Sequence, residues 1–325
     1  MPDFDFPLEK LKLYKGTNSR PHDFDSYWKD ALNELSETED NIVLKPAAFT
    51  AGFAECFDLY FEGVRNAEIH SKLLRPKNSK EKTPVVLMFH GLSANCGDWS
   101  SKLAWVAAGF TVIAMDVRGQ GGLSQDTGGV VGNTLHGHIT RGAFSDDPHD
   151  LLFRQIFLDT AQLARISINL DWVDGEKVYA TGASQGGGLT IACAALEPRI
   201  KKLAPIYPYL SDYKRVWDMD LAIDAYEDIR EYFRRFDPVH KKENELFTKL
   251  GYIDIQNFAC RIKGETLMAT GLMDKICPPS TQFALFNKIE APKRHVIFPD
   301  YAHEELPNFG DMIFSFFNGS ELNSI

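Results

Sequence analysis

The fold of this chain is decided by one stretch of sequence, Lys177-Val178-Tyr179-Ala180-Thr181-Gly182-Ala183-Ser184-Gln185-Gly186. A β-rich run precedes the serine, and a helix-forming run follows it. G-x-S-x-G between a strand and a helix is typical of a nucleophile elbow, a turn so sharp that only small residues fit on either side of the serine. The alternative is a Gly/Ser turn that only joins a strand to a helix. The stretch therefore predicts that Ser184 is a nucleophile held above the end of a sheet.

Short apolar runs recur on both sides of this stretch, separated by helical segments, and this pattern indicates a buried parallel sheet. The predicted strands are residues 85–89, 111–115, 178–181, 202–207, 266–270 and 295–298. The clearest predicted helices between them are residues 98–108, 151–170 and 187–196. Together with the elbow, the pattern predicts an α/β class protein with the α/β-hydrolase fold: a mostly parallel twisted sheet with helices on both faces.

Two parts of the chain lie outside this alternation. Residues 1–45 are predicted to be mostly helical, and residues 53–61 and 67–74 are predicted to form an antiparallel start to the sheet. Residues 209–265 are too long for a simple connection and are rich in aromatic side chains, which predicts a helical insertion near the active site. We expect a single domain over residues 1–325, with an N-terminal extension over about 1–80 and the insertion over about 209–265.

The composition restricts the class of protein. The chain has 325 residues, 44% of them hydrophobic, and a formal net charge of −10, which disfavours nucleic acid and anionic membranes as partners. The N-terminus lacks the basic start and apolar run of a signal peptide, so we expect a cytoplasmic protein. The five cysteines are scattered and form no C-x-x-C pair, which favours buried thiols over disulfides or a zinc site.

A serine nucleophile needs a base, and in this fold the chain order is serine, acid, histidine. Asp274 and His303 each follow a predicted strand in that order. We assign His303 as general base and then acid, and Asp274 as the group that orients its ring. The alternatives are a loop or capping aspartate and a surface histidine. Asp300 is a weaker candidate because it lies only three residues before His303.

The backbone after the first parallel strand supplies an oxyanion donor in such folds. The N–H groups of Leu92 and Gln185 are therefore the predicted oxyanion hole. His136 and His138 form an H-x-H pair with no third ligand in view, so a role in a loop is favoured over metal binding. The predicted chemistry needs no metal and no organic cofactor.

Several motifs along the chain match one known family. They are Arg118-Gly119-Gln120-Gly121-Gly122, Gly182-Ala183-Ser184-Gln185-Gly186-Gly187-Gly188, residues 210–218, residues 277–281 and His303-Glu304. In this set and order, which spans nearly the whole chain, the sequence resembles the acetyl xylan esterase and cephalosporin C deacetylase family, carbohydrate esterase family seven.

The resemblance implies an α/β-hydrolase that removes acetyl groups from O-acetylated sugars and from cephalosporin C. It also implies a cytoplasmic hexamer whose active sites face an interior cavity. Ser184, Asp274 and His303 match the family triad, and Gln185 matches its oxyanion position. Residues with a motif or structural role are Arg118, Gly119, Gln120, Gly182, Gly186 and Glu304.

One departure from the family concerns the residue after His90-Gly91, where the family usually has tyrosine and this chain has Leu92. We expect the change to make the pocket wall more apolar and to alter the acyl or alcohol preference. Tyr209 follows a predicted strand, and its side chain is expected either to line the acyl site or to pack in the core.

Three rival functions remain at this stage. The first is a short-chain esterase with another acyl preference. The second is a prolyl-oligopeptidase-like serine peptidase, which shares the fold and the triad order, although Glu227-Asp228 is weak support for an amine site. The third is a binding module that keeps the fold without activity, which the three filled triad positions disfavour.

Overall fold

The protein is described by a computed structural model over residues 4–127 and 138–320. Its centre is a single sheet of nine strands in the order β1-β2-β3-β5-β4-β6-β7-β8-β9. The strands are β1 Val43–Pro46, β2 Ala54–Gly63, β3 Ala67–Pro76, β4 Thr83–Phe89, β5 Thr111–Met115, β6 Val173–Ala183, β7 Lys202–Ile206, β8 Glu265–Gly271 and β9 Lys293–Phe298. Strands β4 to β9 pair in parallel, and β1 to β3 are antiparallel. The predicted fold class is confirmed.

Helices cover both faces of the parallel part. They are α1 Leu8–Leu11, α2 Phe24–Glu37, α3 Leu103–Ala107, α4 Leu152–Ile168, α5 Gln185–Leu196, α6 Tyr213–Asp218, α7 Glu227–Phe236, α8 Glu243–Leu250, α9 Pro279–Lys288 and α10 Phe309–Asn318. Along β4, Val85 and Leu87 belong to the larger core and Val86 belongs to the core under α10. Because successive side chains of a strand point to opposite faces, a strand buried on both sides must be apolar throughout.

The N-terminal region corrects one prediction. Residues 43–46 form the edge strand β1 instead of continuing a helical segment, and Val43 pairs with Tyr60. The β-branched Val43 and the proline at the end of the strand favour an extended edge over a helix. Helix α2 does form, and its Trp28 packs against Phe157 and Phe258. The predicted antiparallel pair of strands is present as β2 and β3.

The segment between β7 and β8 is helical, as predicted, and contains α6, α7 and α8. Its aromatic side chains pack mainly on one another: Trp217 lies 4.6 Å from Phe233, and Tyr209 lies 4.5 Å from Tyr226, between ring centroids. The insertion therefore extends the main core of the protein.

Among the described residues, every helix is too short or too polar to cross a lipid bilayer. Cys56, Cys96, Cys193 and Cys277 are buried free thiols, and Cys260 is an exposed one.

Candidate active site

The elbow forms at the carboxyl end of β6. Ser184 has φ 57° and ψ −118°, a strained backbone conformation that is expected for the nucleophile of such a turn. A Cβ at Gly182 would lie 2.5 Å from the Phe89 carbonyl oxygen, and one at Gly186 would lie 2.0 Å from it. Only glycine fits at either position, because β4 runs directly beside the turn. The serine N–H donates to Ile206 O at 3.0 Å, which fixes the turn against β7 as well.

Asp274 and His303 lie beyond the ends of β8 and β9 and contact each other. The His303 Nδ1 is 2.8 Å from Asp274 Oδ2. The other carboxylate oxygen of Asp274 accepts from the N–H groups of Ile276 and Cys277 at 2.9 and 2.8 Å. The Asp274 side chain is fully buried, whereas 17% of the His303 side chain is exposed. A carboxylate held in this way orients the imidazole and leaves its second nitrogen on the open side.

A thiol joins the serine to this pair. Cys277 is fully buried, and its side chain contacts the Ser184 hydroxyl. The ligand atoms of Asp274, Cys277 and His303 all lie within 4.8 Å of one another. Burial raises the pKa of Cys277 well above its ordinary value, so the thiol is neutral. The structure therefore brings the three predicted triad residues to one place, next to a protonated thiol without a predicted catalytic role.

The ring of Tyr207 covers the triad histidine, with centroids 4.6 Å apart. Burial raises the pKa of Tyr207, and the nearby Asp274 carboxylate raises it further. Tyr207 was not predicted as a site residue. The signal available in the sequence was its place at the end of a predicted strand, next in the sheet to the strand that carries the serine.

Gln120 forms hydrogen bonds with both segments of the predicted oxyanion hole. Its Oε1 accepts from the N–H of Ser93 at 2.9 Å, and its Nε2 donates to the side-chain oxygen of Gln185 at 2.7 Å. Leu92 lies in the turn after β4, next to Ser93. Gln185 is the first residue of α5, where a helix leaves its N–H without an intrahelical acceptor. The glutamine of the RGQ motif thus connects the two segments that carry the predicted oxyanion donors, Leu92 and Gln185.

The three other motif residues have structural roles. Arg118 is fully buried and forms a two-pronged ion pair with Asp159, with N–O distances of 2.6 and 2.5 Å. Its guanidinium also donates to Gln155 and to the Val64 carbonyl. Gly119 has φ +70°, a conformation that favours glycine. Glu304 is exposed and accepts from the N–H of Ala302 at 2.9 Å, which closes the turn that carries His303.

Tyr209 belongs to the core and not to the acyl site. Its side chain is 1% exposed, and its hydroxyl donates to the Ala225 carbonyl. Its ring packs against Tyr226 in the insertion. The sequence leaves the acyl site and the core open for Tyr209, and the structure places it in the core, where its hydroxyl has an acceptor within the insertion.

A second histidine–aspartate pair lies at the end of β5 and was missed. His70 Nδ1 is 2.7 Å from Asp116 Oδ2, and His70 Nε2 is 3.0 Å from Asp58 Oδ1. Burial by itself lowers the pKa of His70, but hydrogen bonds to Asp116, Cys96 and Asp58 outweigh burial and raise the pKa to about 10. His70 sits inside β3, so no strand-end position marked it in the sequence.

Two groups of possible metal ligands occur in the part of the chain that the structure describes, His70 with Cys96 and Asp116, and Asp274 with Cys277 and His303. Neither includes His138, and His136 lies outside the described residues. Burial lowers the pKa of His138, so its ring is neutral.

The family model for acetyl xylan esterase (AXE1) matches residues 1–319. The chain is similar to the solved structure of acetyl xylan esterase 1 from Thermoanaerobacterium sp. JW/SL YS485, with 58% identity and a TM-score of 0.95 over 97% of this chain and 99% of that one. It is also similar to acetyl xylan esterase from Paenibacillus sp. R4, with 32% identity and a TM-score of 0.92 over 97% of this chain and 100% of that one.

A curated relative, acetyl esterase Axe7A from Xylanibacter ruminicola, is 28% identical over 92% of this chain, and the chain spans 66% of its length. Dipeptidyl-peptidase 5 from Aspergillus fumigatus is a more distant relative, 26% identical, of which the chain spans 33%. The acylaminoacyl peptidase of Pyrococcus horikoshii, at 18% identity and a TM-score of 0.59, shares the fold alone.

Proposed function

The chain belongs to the acetyl xylan esterase family, and from this premise we propose that it is a serine esterase that removes acetyl groups from O-acetylated sugars. The observation that carries the proposal is the contact between His303 Nδ1 and Asp274 Oδ2 beside a serine in the elbow conformation. The names of the two similar solved structures support xylan-derived sugars as the substrate class.

The chemistry follows from the arrangement of the side chains. Ser184 attacks the ester carbonyl while His303 takes its proton, and Asp274 stabilises the imidazolium that forms. The N–H groups of Leu92 and Gln185 hold the negative oxygen, each contributing about 10²–10³-fold in rate. The imidazolium then protonates the departing sugar hydroxyl. Water repeats the cycle on the acetyl-enzyme and releases acetate.

Three finer points belong to the same proposal. Cephalosporin C is an acetyl ester with an accessible carbonyl, so it fits the same site as acetylated sugars. A cytoplasmic location is the one that the family resemblance implies. A hexamer is the assembly that the family resemblance implies. Small acetylated molecules are thus the proposed ligands, without nucleic acid or membrane partners and without a cofactor.

The first experiment measures initial rates on p-nitrophenyl acetate, butyrate and octanoate for the wild type and Ser184→Ala. We expect activity that falls steeply beyond acetate and that the serine variant loses by about 10⁴–10⁶-fold, because the residues of a triad act as a unit. Rates that hold or rise with chain length would reject the acetyl specialist but keep the hydrolase. An aminoacyl p-nitroanilide serves as the control substrate, and its rapid cleavage would favour the peptidase.

Leu92 offers a test of the acyl preference. The side chain is half-buried in the turn that carries the oxyanion donor. Leu92→Tyr adds a hydroxyl and bulk beside the substrate, so we expect the acetate-to-butyrate rate ratio to change by about tenfold, the range of a small pocket alteration. Matched kinetics that give the same ratio for both proteins would contradict a role of Leu92 in specificity.

A further inference from the structure

Two triad residues and the neighbouring Cys277 form a set of ligands that suits a soft divalent metal ion. Asp274, Cys277 and His303 offer one carboxylate oxygen, one sulfur and one ring nitrogen, all within 4.8 Å of one another. A tetrahedral zinc ion holds such atoms about 3.5 Å apart, given bond lengths of about 2.0–2.3 Å. Side-chain movements of about 1 Å therefore bring the three atoms onto one ion. Thiolate and imidazole are the ligands that Zn²⁺ and Cd²⁺ prefer.

We propose that Asp274, Cys277 and His303 bind one thiophilic divalent ion, Zn²⁺ or Cd²⁺, and that the bound ion inhibits the enzyme. The inhibition rests on the proposed function, whereas the binding does not.

The charges balance in this set. The ion carries two positive charges, which the Asp274 carboxylate and the Cys277 thiolate neutralise, and the imidazole is neutral. Both acidic side chains are fully buried, and a neutral assembly avoids the cost of leaving an unpaired charge there. The thiol proton leaves to solvent as the metal–sulfur bond forms. The Nδ1 proton of His303 is replaced by the metal, and the neutral ring then carries its proton on Nε2.

That tautomer explains the inhibition. Nε2 is the nitrogen that must accept the proton of Ser184, and a protonated Nε2 cannot do so. The ion also breaks the hydrogen bond of 2.8 Å between His303 and Asp274. The ion reaches the three ligands from the side of Ser184 and His303, which are both half-buried. Water or the Ser184 hydroxyl, which contacts the thiol, fills the fourth position.

The group His70, Cys96 and Asp116 offers the same three ligand types within the same span and serves as an internal control. Both ring nitrogens of His70 are held by carboxylates, Asp116 at 2.7 Å and Asp58 at 3.0 Å. Each oxygen of Asp116 also accepts a backbone N–H, from Cys96 at 2.6 Å and from Leu123 at 2.9 Å. His303 contacts the carboxylate of Asp274, whereas two carboxylates flank His70 and keep its ring protonated. A metal ion must displace a more tightly held proton at His70, so we expect no binding at this group.

The experiment titrates the full-length protein with CdCl₂ and follows the ultraviolet thiolate-to-cadmium charge-transfer band, which does not depend on activity. Cys277→Ser and the matched control Cys96→Ser are titrated alongside, and Cys260→Ser reports on the exposed thiol. We expect Cys277→Ser to lose the band, because the substitution removes the thiolate that produces it. A variant that keeps the thiolate but loses another ligand is expected to bind cadmium at least ~10–100-fold more weakly. Cys96→Ser and Cys260→Ser are expected to bind as the wild type does.

Inhibition is measured with ZnCl₂ on p-nitrophenyl acetate hydrolysis as the fraction of each variant's own rate. Cys277→Ser is expected to need at least about tenfold more zinc for half inhibition than the wild type or Cys96→Ser. Should Cys277→Ser fail to fold, His303→Ala tests the site by the cadmium band alone, with a comparable loss of affinity expected.

The outcomes separate the two proposals. A charge-transfer band that depends on Cys277, in a protein that hydrolyses no ester, supports the metal site and overturns the esterase. Hydrolysis without the band, or a band that disappears in Cys96→Ser or Cys260→Ser instead, overturns the metal site and leaves the esterase standing. Equal zinc sensitivity of Cys277→Ser and the wild type also overturns it.

Discussion

Two aspartate–histidine pairs lie at the carboxyl edge of this sheet, and they differ in how accessible the histidine ring is. Asp274 contacts His303 at 2.8 Å, and Asp116 contacts His70 at 2.7 Å. Each aspartate follows a parallel strand and lies beside a thiol. The His303 side chain is 17% exposed, whereas that of His70 is 1% exposed and its second nitrogen is held by Asp58.

The difference teaches that an aspartate–histidine contact by itself does not make a general base. A base must be able to lose its proton and must have a nitrogen that reaches the substrate. His70 has neither property, since the flanking carboxylates keep it protonated. Asp116 instead fixes loops: its oxygens accept the N–H groups of Cys96 and Leu123, which flank the segments that carry Leu92 and Gln120. The Asp274–His303 pair is arranged for proton transfer, whereas the Asp116–His70 pair is a buried ion pair that holds the neighbouring loops in place.

Asp274→Asn should give the largest effect. The amide keeps the shape of the carboxylate but favours the wrong tautomer of His303, so we expect kcat to fall by about 10⁴-fold. The melting temperature should change little in comparison. Steady-state kinetics and thermal unfolding on the same preparation check both points. A loss of kcat under about tenfold would mean that another group, such as Asp300, orients the histidine.

Asp116→Asn should act on stability. Removing one partner of a buried ion pair costs about 3–5 kcal/mol of unfolding free energy, and we expect the lower end of this range because Asp58 still contacts His70. Kcat should fall far less than in Asp274→Asn, because Asp116 touches no reacting atom. Urea unfolding measures the loss. Asp58→Asn is the control, with a smaller loss expected because 30% of the Asp58 side chain is exposed. Unchanged stability of Asp116→Asn would show that the Asp116–His70 pair does not stabilise the fold.

His70→Gln should affect catalysis least of the three variants, and its effect on stability should depend on pH. The pKa of His70 is raised from 6.5 to about 10 in the folded protein, so its contribution to stability is complete below pH 6.5 and is lost as the pH rises through about 10. We therefore expect the melting temperature of the wild type to fall between about pH 7 and about pH 10 more steeply than that of His70→Gln. Parallel slopes for the two proteins would show that another group titrates in this range.

Local patterns carried most of the fold and the triad. The elbow is recognisable because Gly182 and Gly186 stand two residues on either side of the serine, a pattern visible in five residues of chain. The backbone that excludes a Cβ there belongs largely to β4, which is distant in the sequence. Asp274 and His303 were found because the carboxyl ends of parallel strands meet at one edge. The edge strand β1 was missed because four residues are too few for a periodic signal.

Sequence patterns therefore predict the positions of most strands along the chain, the elbow and the side chains at the strand ends. Which of those side chains contact one another depends on the tertiary structure. It placed Cys277 against Ser184, Tyr207 over His303, and Gln120 between the two oxyanion segments. It also placed the Tyr209 side chain in the core and the His70 ring between the carboxylates of Asp116 and Asp58. The physical reason is that periodicity and turn chemistry act over a few neighbouring residues, whereas burial and the partners of a polar group depend on segments far apart in the chain.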